Sequence, residues 1–223
     1  MDSKIVSASI RKHIQPSLKE AGFSSFTGRT SWRYHHNRID VVNFQSVGSY
    51  NAEIIGCTSY SFGVNIGSYF LYVPERYPKS PSILKSEKPK PQEHHCHFRG
   101  TLQRSFTQQE LARRDIWFVD EHAEQLEKCT NDALIALTAV AEPWFDRFQL
   151  TTEVLDVLLG ADENMADLWG FGKNPSPIRH YMTGYVALNC GERELARFHL
   201  TAALASQCFR DVESDLENVI SGL

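Results

Sequence analysis

The sequence lacks the marks of several large protein classes. Its five cysteines, Cys57, Cys96, Cys129, Cys190 and Cys208, are odd in number and never closely spaced. That excludes a dense disulfide framework and the C-x-x-C knuckles of zinc modules. No apolar run approaches the ~20 residues that a membrane-spanning helix needs. The opening MDSKIVSASIRKH has no apolar signal-peptide core. These absences lead to the expectation of a cytoplasmic protein with reduced thiols and no membrane partner. G-x-S-x-G, P-loop, G-x-G-x-x-G and H-E-x-x-H motifs are also missing. The paired carboxylates Asp120-Glu121 and Asp162-Glu163 read as ordinary loop or helix-start residues. Nothing joins a nucleophile, a base and an orienting group by recognisable spacing, so the reading leans away from an enzyme.

The composition itself is that of a globular protein. The chain has 223 residues, 42% hydrophobic and 22% charged, enough for one large domain or two small ones. Its formal charge of −4 conceals an asymmetry. Residues 1–104 carry 14 Lys/Arg against 7 Asp/Glu, a net +7, whereas residues 105–223 carry 9 against 20, a net −11. Such a split marks two charged surfaces or two parts that attract each other. Solvated helix faces alone would give the same acidic excess.

Periodicity divides the chain in the same place. Val6, Ile10, Ile14 and Leu18 recur every four residues and predict an amphipathic helix over 4–21, with Pro16 as a misfit and Gly22 as its stop. Residues 30–47 read as a β-hairpin turning at His36-Asn37, 48–57 as a loop, and 60–72 as a strand. In that strand Phe62, Val64 and Ile66 alternate with Gly63, Asn65 and Gly67, a face of small residues that needs something close against it. Residues 74–93 form a Pro/Lys-rich insertion, in which Ile83-Leu84 is an apolar contact point. Strand character resumes over 94–104, Thr107 with Glu110 suggests a short capped helix, and DIWFV (115–119) a further strand. A stripe of Val119, Ala123, Leu126, Thr130, Ala133, Leu137, Val140 and Trp144 then predicts a long helix. Further helices follow at 152–159, 177–189 and 192–208, with a short one at the end. Strands followed by helices argue for an α+β fold: an N-terminal helix packed on an antiparallel β-sheet, then an all-helical C-terminal part. The expected division is a sheet domain over 1–119 and a helical region over 120–223, either separate or packed as one unit with the first.

Several blocks in order resemble the family known as domain of unknown function 4304. They are LKEAGFSSFTGRTSWRY, IDVVNFQS, FGVNIGSYF, HHCHFRGTL and DIWFV, within residues 14–119. The positions that carry the resemblance are Gly22, Phe23, Asn43, Gln45, Asn65, Gly67, Cys96, Arg99, Trp117 and Phe118. The long Pro/Lys segment before Cys96 departs from the family pattern. The resemblance implies a small bacterial cytosolic protein and supplies no catalytic motif. Separately, TGYVALNCGERELARFHLTAALA resembles one helical pair of a tetratricopeptide repeat, with Gly184, Tyr185, Ala196 and Ala203 at the small and aromatic positions. A lone pair is not a solenoid, and a close-packed helical hairpin satisfies the same pattern.

Two constellations bear chemistry. His94, His95, Cys96 and His97 are the densest group of ligand-type residues. On a strand, His95 and His97 share a face and present two imidazoles to zinc or another transition metal. An exposed histidine cluster beside a small buried cysteine is the competing reading. Asn43, Gln45 and Asn65 are amides within apolar strands, which must find hydrogen bonds, and Arg99 adds a positive charge beside them. They either pin strand register or line a polar binding pocket. Trp32, Tyr34, Tyr69 and Tyr72 with the basic half suggest single-stranded nucleic acid, but the acidic whole and dispersed cations weigh against it. The expected function is a non-enzymatic binding or protein-interaction module, with a defence or toxin-neutralising role as one form. A metal-binding protein or metal-dependent hydrolase using His95 and His97 is the alternative.

Overall fold

The stripe Val6, Ile10, Ile14 and Leu18 is fully internal, with exposures of 0, 1, 0 and 3%. It belongs to α1 (Lys4–His13) and α2 (Gln15–Glu20), which divide where Pro16 interrupts the backbone ladder. Gly22 adopts φ +90°, and the Phe23 N–H donates to Leu18 O at 2.9 Å, closing the end as a left-handed C-terminal cap. These relations come from a computed structural model, which describes residues 4–76, 88–161 and 167–223. Pro78, Pro81, Lys79, Lys85 and the Ile83-Leu84 pair lie outside the described residues, as do Asp162-Glu163.

The chain separates into two compact units: residues 1–69 with 92–145, and residues 70–91 with 146–223. The first carries a five-stranded antiparallel sheet in sequential order: β1 (Ser25–Phe26), β2 (Thr30–Tyr34), β3 (Arg38–Ser46), β4 (Phe62–Phe70) and β5 (Phe98–Thr101). The hairpin aligns Trp32 with Val41 and Arg33 with Asp40. One face carries Val42, Phe44, Phe62, Val64, Ile66 and Phe98, all buried. Trp32, Ile39 and Val41, on the other face, are buried as well. The small-residue face of β4 is met as its composition requires. A Cβ at Gly67 would lie 2.6 Å from the Cys96 Cβ, and one at Gly63 would lie 3.3 Å from Asp115 O. The architecture is therefore α+β, with the sheet followed by helices.

Local expectations differ from the structure in four places. Residues 49–55 form a helix, α3 (Ser49–Ile55), where a loop was expected. Only Ala52 of α3 is buried, so the sequence carries no apolar stripe to announce it. Residues 107–110 are not helical, because the buried Arg104 draws the carbonyls of Phe106, Leu111, Arg113 and Ile116 around its guanidinium. DIWFV contributes one bridge, with Trp117 paired to Phe62 through two backbone hydrogen bonds and their rings stacked 5.8 Å apart. The long helix begins at α4 (Leu126–Ala136), and Ala123 before it has φ +61°. A π-helical turn at Leu137–Ala141 then leads into α5 (Glu142–Asp146). The wider turn advances the buried face by one residue, so that Val140 is 54% exposed and Ala141 is internal.

The second unit is helical: α6 (Thr151–Leu159), α7 (Pro177–Asn189), α8 (Arg193–Ala205) and α9 (Glu213–Ser221). Helices α7 and α8 form the close hairpin suggested by their small residues. Gly184 makes the approach possible, since a Cβ there would lie 2.5 Å from Leu200 Cγ and Cδ2. The buried Arg179 donates to Leu158 O at 2.7 Å and Gly160 O at 2.6 Å, satisfying carbonyls at the end of α6. Among the described residues, no helix is long and apolar enough to cross a membrane.

A methyl group at Gly67 has no space unless the segment bearing Cys96 shifts. Gly67→Ala is expected to destabilise the protein by about 1–3 kcal/mol through this overpacking, measured by urea unfolding against wild type.

Candidate functional site

The β2–β3 hairpin places three titratable side chains around one fully buried carboxylate, and β4 adds a hydroxyl. Asp40 is 0% exposed. Arg33, its cross-strand partner, reaches it with Nε at 3.1 Å and Nη2 at 3.0 Å. Arg38 sets Nε 2.9 Å from Oδ1 and donates from Nη2 to Oδ2 at 3.2 Å. His35 Nε2 lies 2.8 Å from Oδ2, and Ser68 Oγ of β4 donates to Oδ1 at 2.9 Å. Arg33 continues outward, donating from Nη1 to Glu142 Oε2 of α5 at 2.7 Å and to Ala21 O after α2 at 3.0 Å. Its guanidinium also lies over the Phe23 and Phe145 rings, 4.9 and 5.1 Å from their centroids.

Burial alone would raise the Asp40 pKa. The His35 hydrogen bond and the Arg38 and Arg33 charges outweigh it and hold the carboxyl below its ordinary value. Arg33, although desolvated, is raised by Asp40 and Glu142. The arrangement is therefore a saturated ion cluster. Sequence reasoning missed it, although the signal was there: Arg33, His35, Arg38 and Asp40 fall within eight residues of one hairpin.

The amides expected to gather do so in part. Asn43 Nδ2 donates to Thr30 Oγ1 at 2.9 Å on the neighbouring strand. Asn65 Nδ2 donates to Gln45 Oε1 at 2.6 Å and accepts at Oδ1 from Thr101 Oγ1 at 3.0 Å. Gln45, Asn65 and Thr101 thus form a chain across β3, β4 and β5. Arg99 is directed elsewhere: its Nε lies 2.5 Å from Oε1 of Glu93, a largely buried partner.

The histidine group is not a strand. Residues Glu93–His95 form a 3-10 turn, so strand alternation does not relate His95 to His97. His95 Nδ1 accepts the Gln92 N–H at 3.1 Å, and its ring lies 4.1 Å from that of His94. His97 is buried against Tyr69, with ring centroids 4.8 Å apart. Cys96, which follows the turn, packs against Gly67. Among the described residues, no group of three or more His, Cys, Asp or Glu is placed to hold a metal ion. Burial pushes the Cys96 thiol well up and raises that of Cys129 to about 12, so both are held as neutral thiols.

Residues 14–147 match the model of a family described as a domain of unknown function, DUF4304. The chain belongs to this family. No curated protein and no solved structure matches it. The DUF4304 region contains β1 to β5, α3, α4, α5 and the whole Asp40 cluster.

Removing the central charge takes a counter-charge from the buried Arg38 and from the part-buried Arg33, which keeps Glu142. Asp40→Asn is expected to cost about 3–5 kcal/mol at neutral pH, measured by chemical unfolding. The Asp40 pKa is depressed in the folded state. Its stabilisation is therefore complete above the unfolded carboxyl value of about 4 and is lost as pH falls through the folded value. The difference in stability between wild type and Asp40→Asn is expected to narrow below pH 4.

Proposed function

We propose that this protein is a non-enzymatic protein-binding module that docks a partner on α3. The observation that carries this reading is the outward face of that helix. Tyr50 is 77% exposed and Ile54 is 66% exposed, and the two stand one helical turn apart. Ala52, between them in sequence, turns inward and seats the helix. Gly56, at φ +79°, closes it with its N–H directed to Ala52 O at 2.9 Å. A large aromatic and a β-branched side chain adjoining one another in solvent form the kind of patch that partners bury, and tyrosine is favoured at the energetic centre of interfaces. In the same unit, the groups best suited to chemistry are engaged internally. Asp40 is shared among Arg33, Arg38 and His35, and Arg104 among four carbonyls. The setting that fits is a bacterial cytoplasm, where the five cysteines, all free, remain thiols.

Affinity purification from the source cells, followed by binding measurements on the recovered partner, tests the reading. Tyr50→Ser with Ile54→Ser is expected to weaken binding about tenfold or more while leaving the unfolding midpoint within experimental scatter. A double variant that binds the same partner with unchanged affinity sinks the proposal.

A further inference from the structure

The second unit holds a pair of imidazoles outside the family-matched region. His180 of α7 and His199 of α8 face one another across the hairpin, with their Nδ1 atoms 2.8 Å apart and their ring centroids 5.0 Å apart. Both are half-buried, so solvent reaches them. Their helices are fixed at short range by the Gly184–Leu200 contact. Phe198 stands edge-on to both rings, with centroids 6.5 Å from His180 and 5.1 Å from His199. The close helix approach and the ring-to-ring hydrogen bond set the pair's position.

The separation is that of a hydrogen bond between the two rings. Two nitrogens bound at about 2.0–2.1 Å to one ion lie about 2.9 Å apart at a right angle and about 3.3 Å apart at a tetrahedral angle. Two Nδ1 atoms held 2.8 Å apart need little movement to become right-angle neighbours on one ion. We propose that His180 and His199 form a bidentate imidazole site for a divalent transition metal of tetragonal preference, Cu(II) before Ni(II). Among the described residues, no third His, Cys, Asp or Glu gathers with them, so water completes the coordination.

Binding requires a tautomer exchange. In the neutral pair, one Nδ1–H donates to the other Nδ1. When the ion enters, that proton leaves to solvent and the same ring takes a proton at Nε2. Both rings end as neutral Nε2–H imidazoles with both Nδ1 lone pairs on the metal, and no net proton is released. The order of affinity follows from the general stability series, in which Cu(II) exceeds Ni(II) and Zn(II) at nitrogen sites.

Copper chloride titrated into the untagged full chain provides the test, read by electron paramagnetic resonance and by broadening of histidine ring proton signals. One equivalent is expected to show hyperfine coupling to two imidazole nitrogens, and the His180 and His199 signals should broaden first. His180→Ala and His199→Ala should each weaken that equivalent at least about tenfold, while His94→Ala with His95→Ala leaves it intact. Equal copper affinity in the His180 and His199 variants overturns the proposal. So does earlier broadening of the His94 and His95 signals in wild type, a readout that needs no variant to fold. None of these outcomes bears on α3, so the two proposals fail independently.

Discussion

The buried carboxylate of Asp40 is the point to which the first unit is tied. A carboxylate without solvent is tolerable only if cations and donors surround it, and here they come from four elements. Arg33 and His35 come from β2 and its turn, Arg38 from β3, and Ser68 from β4. Arg33 in turn engages the carbonyl that ends the N-terminal helix and Glu142 of α5. Such a cluster adds little net stability compared with apolar packing, because desolvation offsets much of the Coulomb attraction. What it supplies is selection. A one-residue slip of β3 against β2 would turn Asp40 to the opposite face and leave Arg33 without its partner.

The same cluster revises the meaning of the charge asymmetry. Residues 1–104 carry a net +7, which in isolation suggests a basic surface. Several of those cations are internal components. Arg38 is 4% exposed, Arg104 is 1% exposed, and Arg99 is joined to Glu93. The Arg33–Glu142 pair also crosses the boundary between the basic and acidic stretches inside one unit. Composition counted these charges correctly but could not tell a solvated lysine from an arginine that orders carbonyls.

Elements with a buried stripe were legible: α1 and α2 through Val6 to Leu18, the hairpin through its alternation, and α7 with α8 through their small residues. What escaped was structure held by something other than apolar periodicity. Helix α3 buries one small residue and shows its large ones to solvent, which leaves no pattern to read. The π turn shifts the stripe from Val140 to Ala141, a register change that no regular period contains. The segment after Arg104 is shaped by a guanidinium that collects carbonyls up to twelve residues away. His95 and His97 lost their shared face to a 3-10 turn, after which Cys96 packs against Gly67.

The positions that carry the family resemblance hold structural roles in the sheet unit. Gly22 caps a helix in the left-handed region, Phe23 fills the core beneath Arg33, and Cys96 occupies the space a Cβ at Gly67 would need. Asn43 and Asn65 tie neighbouring strands, Arg99 meets Glu93, and Trp117 stacks on Phe62. Each is a solution to a packing or hydrogen-bonding problem inside the sheet unit. A pattern made of such positions specifies a scaffold and leaves the recognition surface open. The docking face proposed on α3 uses residues outside that pattern. Tyr50 and Ile54, which no internal requirement of the fold holds in solvent, are where the first unit departs most from the burial rule.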